Sequence, residues 1–210
     1  MEFHWRVTQT PDWTILLIGG TSAAGKTTLA ESLAARFQAR YIDLDLFWIV
    51  LHRTVSPEVA PELHLLDGDS VWDEDPDKLV DKYWRVSAYV IRAVEPVIAH
   101  HHIIGRPVVL EGCWVLPAFA MQRTYAGVDT GDSVRALFLC EPELAAIETR
   151  IRARRRPGIE RLPKTAQLNH LEMQRRYGLA IATQAEALGL PVLEARPFES
   201  LEARAIAAFM

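Results

Sequence analysis

The sequence predicts an α/β fold, a three-layer sandwich in which a five-stranded parallel sheet is covered by helices on both faces. Three observations predict it. Short apolar runs of strand length alternate along the chain with longer segments whose apolar residues recur at helical spacing. The first strand leads through a glycine-rich loop straight into the first helix. Every motif of chemical interest then falls at the carboxyl end of a predicted strand, where open α/β sheets bind their ligands. With 210 residues, half of them hydrophobic, the chain can bury a sizeable core without disulfides or a structural metal, and 1–210 reads as a single domain.

The elements follow in order. Strand 1 spans about 14–18, the run Thr14-Ile15-Leu16-Leu17-Ile18, and helix 1 spans about 26–38, with Leu29, Leu33 and Phe37 on one face. Strand 2 covers about 40–43. Asp75 caps the next helix with Pro76 at its first position, and Leu79, Tyr83, Val86, Val90 and Val94 form its apolar stripe until Pro96 bends or breaks it. Strand 3 is Val108-Val109-Leu110 and strand 4 about 134–140. Pro142 opens a helix carrying Leu144, Ile147 and Ile151. A long helix from about 165 to 188 stops at Gly189, strand 5 covers about 191–194, and Ser200 caps a last helix.

The most specific motif is Gly20-Thr21-Ser22-Ala23-Ala24-Gly25-Lys26-Thr27, which fits G-x-x-x-x-G-K-[ST] at every fixed position. Such a loop binds phosphate. Its glycines let several backbone N–H groups converge on the β-phosphate, Lys26 reaches the β/γ oxygens, and Thr27 offers its hydroxyl to Mg²⁺. Gly20 to Thr28 are therefore the expected nucleotide-binding residues, with ATP and Mg²⁺ as cofactors.

Two strand ends carry acids. In Tyr41-Ile42-Asp43-Leu44-Asp45 alternation sends both aspartates to the same side. An aspartate there can hold Mg²⁺ or accept the proton of an attacking hydroxyl. Glu111 ends strand 3, where phosphate-loop proteins place an acid of the Mg²⁺ shell. The expected metal residues are Thr27, Asp43 and Glu111. Asp45 is the expected base, with Asp43 and Glu111 as alternatives.

Charge is unevenly spread. Residues 150–164 hold seven cations against Glu160, a balance of +6 in a chain of net charge −4. Phosphoryl transfer spreads negative charge over equatorial oxygens, which mobile arginines neutralise. Arg150, Arg154 and Arg156 are the expected catalytic cations beside Lys26. At helical spacing Arg150, Arg154 and Arg161 share a side, and Arg155-Arg156-Pro157-Gly158 starts a flap within a lid of about 150–166. Residues 58–81 are the reverse, nine acids against Lys78, and read as a solvated acidic segment.

Other classes recede. A negative net charge argues against nucleic acid as a partner. No apolar run approaches the roughly 18 residues of a membrane span, and no signal peptide precedes the first strand. Cys113 and Cys140 read as reduced core thiols, so a soluble, cytoplasmic protein is expected, monomer or homodimer. His100-His101-His102 reads as a helix end rather than a metal site. The sole asparagine, Asn169, lies in Asn-His-Leu and not in the Asn-Lys-x-Asp of guanine switches.

The loop Gly20–Thr27, the pair Asp43 and Asp45, the arginine-rich helix ending Arg156-Pro157 and the late Gly-Leu-Pro-Val strand together resemble the small-molecule and nucleotide kinases of the phosphate-loop superfamily. Asp43-Leu44-Asp45 is similar to the step in shikimate kinases, and Val109-Leu110-Glu111-Gly112 followed by Leu116-Pro117 is similar to 2-phosphoglycerate kinases. The resemblance implies strand order 2-3-1-4-5, an acceptor-binding insertion at 46–107 and ATP-dependent transfer of the γ-phosphate to a hydroxyl of a small molecule. Nucleoside or nucleoside monophosphate kinases, and a partner-coupled ATPase, are the alternatives. The glycine run of shikimate kinases is replaced here by Glu111-Gly112-Cys113-Trp114, so the acceptor does not carry over. In the insertion Trp48, Trp72, Tyr83, Trp84 and Tyr89, with Trp114 beyond, read either as pocket walls or as core. Arg53, Arg85 and Arg92 are candidates for holding an anionic acceptor.

Overall fold

Alternation along a strand buried on both faces divides its side chains between two cores, and β1 (Ile15–Gly20) shows the consequence. Ile15 and Leu17 join a cluster that also holds Leu110, Phe138, Val86 and Tyr177. Leu16 and Ile18 join another with Leu29, Leu33, Phe37, Val109 and Leu139. All six residues of β1 are buried, and each large aliphatic side chain so placed contributes roughly 1.5–3 kcal/mol. The computed structural model describes residues 11–153 and 159–209.

The chain leaves β1 for α1 (Lys26–Phe37) and returns in β2 (Arg40–Asp43). It then builds α2 (Asp45–Thr54), α3 (Pro76–Val90) and α4 (Glu95–Ile104) before β3 (Val108–Glu111). A short helix α5 (Pro117–Ala120) and a hairpin of β4 (Thr124–Tyr125) and β5 (Val128–Asp129) precede β6 (Val134–Cys140). The remainder is α6 (Leu144–Arg152), α7 (Lys164–Ala187), β7 (Val192–Glu194) and α8 (Leu201–Phe209). The five-stranded sheet runs β2-β3-β1-β6-β7, all pairs parallel. Counted by the sheet's own strands this is the expected order 2-3-1-4-5. Helices α1 and α8 supply one cluster, and α3, α4 and α7 the other.

Local chemistry explains most element ends. Asp75 accepts the N–H of Asp77 at 2.8 Å with Pro76 at the first position of α3, as expected. The stripe does not run unbroken to Pro96. Residues Ile91–Val94 tighten into a 3₁₀ turn and a new helix begins at Glu95 with Pro96 in its first turn. Proline has no N–H and its ring collides with the carbonyl four residues earlier, so the α pattern must yield ahead of it. Val94 stays fully buried all the same.

Two expectations are corrected. The helix after β6 begins at Leu144, because the Glu141 carboxylate accepts the Glu143 N–H at 3.2 Å and holds Pro142 outside. Ser200 does not cap α8, since its hydroxyl donates to the Pro197 carbonyl and accepts from Arg204. The acidic segment is solvated as expected, with seven of its nine acids exposed, and its ion pairs lie at the surface. Asp69 pairs with Arg161 at 3.3 Å, Asp77 with Arg176 at 2.6 Å and Glu74 with Lys82 at 2.5 Å. Cys113 and Cys140 are free and buried, and no helix among the described residues is long and apolar enough to cross a membrane.

Gly20 joins this fold to the site. Its φ is +120°, and a Cβ there would lie 2.0 Å from the Leu139 carbonyl oxygen of the neighbouring strand. Gly20→Ala should therefore lower unfolding stability by at least about 2 kcal/mol. A urea midpoint equal to wild type would contradict that packing.

Candidate active site

The loop after β1 turns through two further left-handed residues, Ala23 at φ 67° and Gly25 at φ 87°. Gly25 precedes α1, whose first turn has neither a side-chain cap nor an acidic residue. Its N–H groups and positive helix end are thus left for an anion. Lys26 is buried and its Nζ donates to the Thr21 carbonyl at 2.9 Å, folding the lysine across the loop.

Helix α7 braces the other side. The fully buried Thr21 hydroxyl donates to the Gln174 carbonyl at 2.7 Å, and the Gln174 side-chain oxygen accepts the Ser22 N–H at 3.3 Å. Gly178 permits the approach, since a Cβ there would lie 2.9 Å from the Thr21 Cβ. Sequence reasoning missed both residues. The available signal was a glutamine set in the buried stripe Leu171, Gln174, Tyr177, Ile181.

The strand-end acids gather next to the loop. Glu111 is 3% exposed and accepts from the Thr27 hydroxyl at 2.9 Å and the Tyr41 hydroxyl at 3.1 Å. It stands in register with Asp43 on β2. Burial pushes the Glu111 carboxyl up and the Asp43 charge adds to this, while Lys26, Thr27 and Tyr41 pull it back; the net direction is upward. Thr27, Asp43 and Glu111 thus lie together at the strand ends, and their oxygens are the hard donors that suit Mg²⁺.

Asp45 departs from the expected alternation. Asp43 Oδ1 accepts the Asp45 N–H at 2.8 Å, so the strand ends and α2 begins between them. Asp45 turns into a separate cleft, where Oδ1 accepts from Trp114 Nε1 at 3.0 Å. The neighbouring Cys113 thiol is pushed up to about 12, first by burial and then by the Asp45 charge.

That cleft has a volume of about 440 Å³ and reaches from Ser22 of the loop to Asp45, Trp48, His52, Trp72 and His170. Trp48 stacks on Trp114 with centroids 5.9 Å apart, and Trp114 stacks on Tyr83 at 5.0 Å. Asn169 donates to the carbonyls of Trp72 and Glu74, both at 3.1 Å, and His170 packs edge-on against Trp72. Trp84 and Tyr89 pack on the core instead.

A second cavity, also about 440 Å³, touches the loop at Gly25 and Thr28. Its wall is Arg150, whose guanidinium lies 4.2 Å over the Phe198 ring. Arg150 also donates to the Ala23 carbonyl at 2.6 Å and to Glu141 at 3.3 Å. Glu141 is 1% exposed and is held by both arms of Arg196 at 2.9 Å. Nothing in the local spacing announced Glu141, Arg196 or Phe198 as neighbours of the loop. Arg150 and Arg161 do not share a helix side, because α6 stops at Arg152 and Arg161 lies in a 3₁₀ turn beside the first cleft. Arg154, Arg156 and the expected flap at 155–158 lie outside the described residues.

Residues 15–178 match the AAA domain family. The chain belongs to the AAA domain family. This AAA domain is 28% identical over 118 residues to a 2-phosphoglycerate kinase of Methanocaldococcus jannaschii, an alignment that takes in 54% of the chain and 38% of that protein. The chain thus matches well under half of the relative's length. Among solved structures it is similar to a sugar kinase from Janibacter sp. HTCC2649, with TM-score 0.53 and 17% identity over 93% of this chain and 94% of that one. A putative kinase from Chloroflexus aurantiacus J-10-fl gives 0.50 and 19% over 96% and 100%. The AAA domain here has the phosphate-loop kinase type of fold.

A clasp of titratable groups lies at the edge of the cleft. His52 Nε2 and His64 Nδ1 contact the two Asp67 oxygens at 2.7 and 2.9 Å, while His64 Nε2 lies 2.8 Å from the Val55 carbonyl. That carbonyl only accepts, so His64 satisfies both partners when both nitrogens carry protons. The Asp67 hydrogen bond, then the Val55 carbonyl, raise His64 above 6.5. Partial burial works to raise Asp67, but His52 and His64 outweigh it and hold it below 3.8. The raised group contributes stability that is complete below pH 6.5 and lost as pH rises through its folded value. The depressed one contributes stability present above pH 3.8 and lost as pH falls through its folded value. Asp67→Asn should therefore cost about 1–3 °C in Tm near pH 5, given an exposed partner, and less near pH 8. A deficit that stays constant with pH would contradict the charged clasp.

Proposed function

We propose that this chain is an ATP-dependent phosphotransferase that moves the γ-phosphoryl group of ATP to a hydroxyl of a small molecule. The observation that carries the reading is Asp45, a carboxylate fixed by an indole N–H in a cleft that begins at the phosphate loop. A hydrolytic ATPase has no need of such a cavity beside its base.

ATP is read as lying along the loop between the two cavities. Its phosphates are received by the N–H groups of residues 20–28, with Lys26 exchanging the Thr21 carbonyl for phosphate oxygens. The base fits the cavity at Gly25 and Thr28, stacked on Phe198 and Arg150. Arg150 thereby serves the base end and the Ala23 turn rather than the transferred group. Arg154 and Arg156 are assigned to closure over the transfer. Thr27, Glu111 and Asp43 would hold Mg²⁺, directly or through water, and when bound it neutralises charge on the phosphate oxygens.

In the transfer the acceptor oxygen bonds to the γ-phosphorus, the bond from that phosphorus to the β–γ bridging oxygen breaks with its electron pair leaving on ADP, and the hydroxyl proton passes to Asp45. Trp114 keeps the Asp45 carboxylate aimed at the acceptor. Similarity to a protein named 2-phosphoglycerate kinase supports kinase chemistry. The free buried thiols Cys113 and Cys140 suit a reducing cytoplasm, where ATP and Mg²⁺ are abundant.

Lys26→Ala should reduce acceptor-dependent ADP formation about a hundred- to a thousandfold while circular dichroism stays native. Asp45→Asn should lower kcat about a hundredfold with ATP affinity held within about twofold. Full turnover in the first variant would remove the assignment of the loop, and an unchanged kcat in the second would move the base to Asp43 or Glu111. Phe198→Ala should weaken ATP binding roughly three- to tenfold in calorimetric titration; unchanged affinity would place the base elsewhere.

A further inference from the structure

We propose that the acceptor is an uncharged or cationic alcohol with a flat face, not a carboxylate or a phosphate ester. This rests on the reading of the Asp45 cleft as the acceptor site.

The charges that line the cleft run against an anion. Among its described lining residues Arg161 is the sole fixed cation, and it is paired with Asp69 at 3.3 Å. Against it stand Asp45, Asp67 and Asp69. His52 is bound to Asp67 at 2.7 Å. Recognition of a carboxylate or phosphate is served best by unpaired guanidinium forks or ammonium charges. The arginines of the insertion that suggested an anion do not line the cleft. Arg85 is 58% exposed and pairs with Glu62 at 3.7 Å, and Arg53 and Arg92 are exposed. An anionic acceptor would also bring a third negative group between Asp45 and the ATP phosphates.

The walls favour a flat or cationic group. Trp48, Trp114 and Tyr83 form a stacked column. Its inner members Trp114 and Tyr83 are buried, which gives Trp48 a rigid backing. Trp72, fixed by Asn169 and His170, supplies a further aromatic wall. Aromatic faces beside carboxylates bind apolar rings by stacking and ammonium groups by cation–π attraction.

The test uses three alcohols that share one benzylic hydroxyl and differ in charge: 1-phenylethane-1,2-diol, 2-amino-1-phenylethanol and mandelate. Each is titrated into the protein with ADP and Mg²⁺ while tryptophan fluorescence is followed. The diol and the amino alcohol are expected to bind at least about tenfold more tightly than mandelate, with Trp48→Ala abolishing the difference and Trp48→Phe retaining it. Equal or tighter binding of mandelate, no binding of any of the three, or full binding to Trp48→Ala would each overturn the proposal. ADP formation with the same alcohols and with 2-phosphoglycerate, against Lys26→Ala, separates the two readings. Lys26-dependent turnover of 2-phosphoglycerate or mandelate keeps the kinase and removes the acceptor class. The expected binding order without Lys26-dependent turnover of any alcohol keeps the class of ligand that the cleft binds and removes the kinase.

Discussion

A buried carboxylate must find hydrogen-bond donors or forfeit its charge, and Glu111 meets that demand in a way that organises the whole front of the sheet. It draws the Thr27 hydroxyl from α1 and the Tyr41 hydroxyl from β2 to the end of β3. Three elements of the fold are thereby fixed at the point where the sheet presents its carboxyl ends. The upward push on its carboxyl comes first from burial; Lys26 already opposes it from the loop, and a divalent cation would oppose it further.

The loop itself gains its shape from outside. Gln174 on α7 holds one end through Thr21 and Ser22, and Arg150, anchored on Glu141, holds Ala23. The charge network Arg150–Glu141–Arg196 is buried at its centre and exposed at its rim, an arrangement whose worth lies in geometry more than in net stabilisation. It fixes the wall of one cavity while the aromatic column fixes the wall of the other. The phosphate loop is the boundary between them, which is the arrangement a transfer from nucleotide to acceptor requires.

Much of this was legible in the residues. The loop pattern, the apolar spacing of Leu29, Leu33 and Phe37, and acids at the ends of β2 and β3 are local signals that brought Thr27, Asp43 and Glu111 together, while the sheet order followed from the resemblance to phosphate-loop kinases. What escaped were features fixed by partners distant in sequence. Helix α2, rich in Leu, Phe, Trp, Ile and Val, carries no propensity that separates it from a strand, and its start depends on Asp43 capping Asp45. Gln174 acquires its role from Thr21, 153 positions away. Arg161 was grouped with Arg150 on helical spacing, but α6 ends at Arg152, and spacing has no meaning once a helix stops.

If the cleft at Asp45 delivers an alcohol to ATP held on the loop, an acceptor must govern turnover. The most direct measurement is the rate of ADP release from ATP and Mg²⁺ across nucleosides, amino alcohols, hydroxylated antibiotics, sugar acids and phosphoglycerates. A slow basal rate and a strong acceleration by one chemical class of acceptor are expected. Rapid hydrolysis that no acceptor alters would contradict this expectation and make the chain a partner-coupled ATPase.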